Sequence, residues 1–60
     1  MIYKELKNES LQGLELYFST EKGISRVWLK PDNSVVVPDT YITDLVLNLA
    51  RRRLIKINSI

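Results

Sequence analysis

Sixty residues, with nine basic and seven acidic side chains and neither His nor Cys, allow one small domain, residues 1–60. Without Cys there is no disulfide and no thiolate metal site, and without His the commonest zinc and copper ligand is gone. The Ser-His-Asp and Cys-His catalytic arrangements go with them, so the expectation is a protein that is not an enzyme and holds no cofactor or metal.

A chain of this size buries only about 60% of the surface its unfolded form exposes, and small scaffolds usually need a staple. Of the usual staples, association with other chains is what remains. The formal net charge of +2 is too mild to argue for nucleic acid on its own. Apolar runs such as Val35-Val36-Val37 and Leu45-Val46-Leu47 are far short of the about 20 residues of a membrane span, so no membrane partner is expected. Met1-Ile2-Tyr3-Lys4-Glu5 lacks the basic-then-apolar layout of a signal peptide, and a soluble, unexported chain is expected.

Along the chain, Tyr3–Lys7 reads as a short strand of poor alternation, and Asn8-Glu9-Ser10 as a turn. Leu14, Leu16 and Phe18 alternate on one face of a strand over Leu14–Ser19. Thr20-Glu21-Lys22-Gly23 is a turn in which Gly23 can take positive φ, and Ile24–Lys30 is the next strand, with Val27 and Leu29 on one face. Pro31-Asp32-Asn33-Ser34 is the strongest turn signal: Pro sets φ, and Asn33 tolerates the left-handed region that closes a short hairpin. Val35–Val37 is a strand stopped by Pro38. Then the period changes. Asp39 or Thr40 can cap a helix whose stripe is Ile42, Leu45, Val46, Leu49 and Ala50 and which ends near Arg53. Leu54–Ile57 closes the chain as a strand with Ile55 and Ile57 inward.

The expected fold is α+β: a small antiparallel meander or partly open barrel in the order β-β-β-β-α-β, with one helix laid on it. The expected core is Leu14, Leu16, Val27, Leu29, Val35, Val37, Ile42, Leu45, Val46, Leu49 and Ile55. On that reading Leu45→Ala costs about 2–5 kcal/mol.

Pairing Ser19 with Ile24 fixes the register of the first hairpin. Leu16 then faces Val27 and Leu14 faces Leu29 on the core side, while Tyr17 faces Arg26 and Glu15 faces Trp28 on the other. Tyr17, Ile24, Arg26, Trp28 and Lys30 thus share one surface, and aromatics with Arg are the composition of interface hot spots. Two readings stand for Trp28: a contact residue, or part of a second small core.

Other constellations are weaker. Asp39 and Asp44 near the helix start, and Glu15 and Glu21 by the hairpin, read as caps and solvated charges. Gly13 and Gly23 are isolated and make no phosphate loop. Arg51-Arg52-Arg53 suits a helix C-terminus by dipole compensation, and Arg51 and Arg52 are also candidates for pairing with a neighbouring subunit's carboxylates.

The stretch Leu29-Lys30-Pro31-Asp32-Asn33-Ser34-Val35-Val36-Val37-Pro38, the amphipathic helix after it, and Arg53-Leu54-Ile55-Lys56-Ile57 resemble short accessory proteins of tailed-phage virions. The resemblance covers roughly the second half of the chain. Arg53 departs from it, standing where a Gly often ends the helix. It implies a virion component, assembled in the host cytoplasm, that binds capsid or tail subunits, and it carries over no catalytic or ligand residue.

The functional expectation is a structural subunit, a minor capsid (cement) or tail accessory protein. Its contact residues would be Tyr17, Arg26, Trp28, Lys30, Arg51 and Arg52, with protein partners that include copies of itself. The alternatives are a small nucleic-acid-binding module that uses the basic and aromatic sheet face, and a cytoplasmic regulator of one host protein.

Overall fold

A computed structural model describes all sixty residues, Met1–Ile60. The strands are β1 (Tyr3–Asn8), β2 (Leu14–Thr20), β3 (Gly23–Leu29), β4 (Ser34–Pro38) and β5 (Ile55–Ser59). A 3-10 turn over Asp39–Tyr41 and one helix, α1 (Asp44–Arg51), lie between β4 and β5. The class is α+β, every strand pairing is antiparallel, and β5 closes the fold. No barrel closes: the strands form a three-stranded sheet, β4-β1-β5, and a separate hairpin, β2-β3.

The hairpin has the register its turn dictates, with Leu14 opposite Leu29, Leu16 opposite Val27 and Tyr17 opposite Arg26. Gly23 takes φ 108°, a conformation that L side chains rarely adopt. The pairing departs from a simple meander at Pro31–Ser34, which does not fold β4 back on β3. The Asn33 N–H donates to the Lys30 carbonyl at 3.1 Å, and the residue held left-handed between them is Asp32, at φ 64°, not Asn33. The turn then joins β1: the Asp32 N–H donates to the Asn8 carbonyl at 3.0 Å, and the Asn8 N–H to the Asn33 carbonyl at 2.9 Å. So β4 leaves for the other sheet, and β1, whose alternation looked poorest, is the central strand.

Asn8 was expected in a turn; it ends β1 and is fully buried. Its Nδ2 donates to the carbonyls of Gln12 at 2.8 Å and Leu29 at 2.9 Å. Its Oδ1 accepts from the Ser10 N–H at 2.8 Å and the Ser10 hydroxyl at 2.7 Å. Both donors and both acceptor positions of the amide are used, so its burial leaves nothing unpaired. One side chain thereby ties the end of β1, the β1–β2 connection and the end of β3.

The core is Leu6, Leu14, Leu16, Phe18, Leu29, Val37, Val46 and Ile55. Leu6 and Phe18 were absent from the expected core. Val27, Val35, Ile42 and Leu49 pack against it only half-buried, and Leu45 is 58% exposed. The reason lies at the helix start. Ile42 stays extended and bridges Phe18 on the outer edge of β2, so it cannot be helical. The cap is therefore Thr43, not Asp39 or Thr40: its Oγ1 accepts the Val46 N–H at 3.5 Å and donates to the Tyr17 carbonyl at 2.7 Å. Pinned there, the helix points Val46, Leu49 and Ala50 at the sheets and turns Leu45 to the rim.

Leu6→Ala is expected to cost about 2–5 kcal/mol and Leu45→Ala less than about 1 kcal/mol, read from denaturant unfolding midpoints. Asn8→Ala removes the buried bond to the Leu29 carbonyl and the bond to the Ser10 N–H, while the Ser10 hydroxyl still donates to the Gln12 carbonyl at 2.7 Å. It should destabilise by about 2–4 kcal/mol, with loss of amide exchange protection in both sheets.

Candidate protein-binding face

Strand alternation puts Glu15 and Tyr17 of β2, and Ile24, Arg26 and Trp28 of β3, on the face of the hairpin that points away from the core. At its centre is a three-residue network. The Tyr17 hydroxyl donates to Glu15 Oε1, and Glu15 Oε2 lies 3.7 Å from Arg26 Nε. Glu15, as acceptor of the phenolic proton, holds the Tyr17 hydroxyl above its ordinary pKa; burial and the negative charge of Glu15 add to this, and Arg26 partly offsets it.

Trp28 resolves its two sequence readings in favour of exposure: it is 63% exposed, and Ile24 is 67% exposed. The Trp28 ring lies against the backbone of Gly13, where a Cβ would come within 2.2 Å of Cζ2. Gly13 is thus needed for close approach. The sequence carried that signal only as an isolated glycine, because the contact joins the β1–β2 connection to β3.

Next to the network, β2 and α1 enclose an open groove of about 280 Å³, lined by Glu15, Tyr17, Leu45, Asn48, Leu49 and Arg52. The fold therefore gathers Tyr17, Arg26, Trp28 and Arg52 into one region. Leu45, Asn48 and Leu49, which sequence reasoning had assigned to the core or passed over, complete it. Arg51 lies outside the groove and donates from Nη1 to Asn48 Oδ1 at 3.2 Å, and Lys30 is exposed just beyond β3.

Arg53 takes φ 61° as the helix ends. The Leu54 N–H reaches the Leu49 carbonyl and the Arg53 N–H the Ala50 carbonyl, both at 3.0 Å, the pattern of a Schellman stop with Arg in the glycine place. The basic run thus both ends the helix and supplies Arg52 to the groove.

No helix is long and apolar enough to cross a membrane. Comparison with protein-family models, with curated proteins and with solved structures finds no match.

Glu15→Gln removes the charge that disfavours phenolate. The Tyr17 pKa should fall toward that of an ordinary tyrosine, and the Tyr17 ring signals in an NMR titration would follow it; an unmoved pKa would mean that the network is not formed in solution.

Proposed function

We propose that this protein is a non-enzymatic assembly subunit that binds a larger protein lattice, as a minor capsid (cement) or tail accessory protein of a phage particle. The observation that carries the reading is the exposed Trp28 and Ile24 beside Arg26 on the hairpin face. A tryptophan side chain carries 150–250 Å² of surface, so leaving most of this one in water forgoes roughly 3 kcal/mol that a partner's pocket would recover. Aromatic and Arg side chains next to a shallow apolar groove suit a protein surface. Weak single contacts of this kind are enough when many copies sit on a repeating lattice. The resemblance of the second half of the chain to virion accessory proteins supports the same reading.

Glu15 counts against nucleic acid. It sits beside Arg26 and accepts the Tyr17 hydroxyl, which places a negative charge in the middle of what would be the stacking platform.

Trp28→Ala should change the unfolding free energy by no more than about 1 kcal/mol, because the ring is mostly in water, and should sharply reduce recovery of the protein in purified particles. Unchanged recovery rejects this face as the contact. Retention that instead follows nucleic acid and falls steeply with added salt rejects the lattice reading.

A further inference from the structure

We infer that the free edge of β3 pairs antiparallel with the same edge of a second copy of this chain, about a twofold axis at Val27. The argument begins with which backbone groups are free. Among the strands β3 forms a backbone ladder only with β2, and the Asn8 side chain reaches it only at its last residue, Leu29. The Tyr17 carbonyl turns away from β3 to accept the Thr43 hydroxyl at 2.7 Å. Residues opposite one another in an antiparallel pair turn their backbone groups the same way, toward or away from each other, and the direction alternates along the strand. Arg26, opposite Tyr17, therefore points its N–H and C=O outward, and so do Ile24 and Trp28. A bare edge of this kind templates another strand.

The edge is also the least protected in the molecule. β3 has seven residues where β4 and β5 have five, and β4 ends in a proline. Along most of β3 both faces are exposed.

Side chains then choose the partner and the register. Outward-pointing residues must pair with outward-pointing residues, so a twofold axis passes through a residue. An axis at Arg26 opposes Arg26 to its own copy, and Lys22 to Lys30. An axis at Trp28 opposes Arg26 to Lys30. Like charges directly opposite destabilise a sheet. An axis at Ser25 pushes the pairing into the Glu21-Lys22 turn.

An axis at Val27 sets Arg26 against the partner's Trp28, Ile24 against the partner's Lys30, and the two half-buried Val27 side chains against each other. No like charges meet. Since Tyr17 lies opposite Arg26 and Glu15 opposite Trp28 within each chain, the continuous four-stranded sheet carries the cross-strand row Tyr17, Arg26, partner Trp28, partner Glu15. Each guanidinium then sits between two aromatic rings, a cation–π arrangement made twice. One strand edge buries less than the ~800 Å² per partner of a standard interface, so association is weak and shows at high protein concentration. The inference does not rest on the lattice reading, since its test uses the isolated chain.

The chain has no native cysteine, so single-cysteine cross-linking reports the register directly. Residues opposed across the axis at Val27 form a pair without mutual hydrogen bonds, with Cα atoms about 4.5 Å apart, within the range a disulfide spans. Under mild oxidation Val27→Cys should give a disulfide-linked dimer as the dominant product, while Ser25→Cys and Arg26→Cys stay largely monomeric. Sedimentation equilibrium of the wild type should show a mass rising toward the dimer with concentration. Arg26→Pro, which removes an outward N–H and leaves the β2 ladder intact, should hold it at the monomer. Cross-linking strongest at residue 25 or 26, or equal at all three, overturns the register. A wild type that stays monomeric at the highest attainable concentration overturns the pairing, even where a cysteine variant fails to fold.

Discussion

The arrangement depends on one buried amide. Neither sheet is large enough to stand alone: a two-stranded hairpin is marginal in water, and a three-stranded sheet needs a covered face. The apolar faces press together, but that force is not directional and does not by itself fix how one sheet sits on the other. Asn8 supplies the direction. Its side chain is bonded to the β1–β2 connection and to the last residue of β3, and its backbone to the β3–β4 turn. A buried polar group with every valence met favours a single arrangement, since any shift leaves partners unpaired in a dry interior.

From that anchor the contact face follows. Tying Leu29 to Asn8 fixes the end of β3, which lays Trp28 over Gly13 and leaves the far edge of the strand bare. On the other side of β2, Ile42 and Thr43 occupy the edge and set where α1 begins. The groove between β2 and α1 thus results from a strand-edge contact. Leu45 is exposed there because Thr43 is held against the Tyr17 carbonyl, and the helix has to start from that point.

The hairpin was fully readable, because a short turn and a period of two determine every opposing pair from Leu14 to Leu29. The face carrying Tyr17, Ile24, Arg26 and Trp28 came with it. β1 has the poorest alternation in the sequence because Glu5 and Lys7 stand on its outer face while Lys4 shares the inner face of Leu6 and Asn8, yet β1 is flanked on both sides. A central strand in a one-layer sheet has an outer face open to water, so polar residues there are no sign of an edge. Arg51 and Arg52 are adjacent in one basic run, but Arg51 ends α1 and bonds Asn48 while Arg52 is the residue that caps it, and only Arg52 reaches the groove.

The sequence by itself determined the α+β class, the antiparallel hairpin and its two faces, the closing strand, and the loss of His- and Cys-based chemistry. All of these follow from local periodicity or from which side chains exist. The tertiary structure alone decided that β4 leaves β3 for β1, that Asn8 is buried, that Thr43 caps the helix, and that Leu45 faces a groove with Glu15, Tyr17 and Arg52. Each depends on a contact between residues far apart in the chain, such as Asn8 with Leu29 or Thr43 with Tyr17. A local pattern specifies which face of an element is apolar. It does not specify which other element comes to cover that face, because that choice is made by long-range hydrogen bonds that must all be satisfied at once.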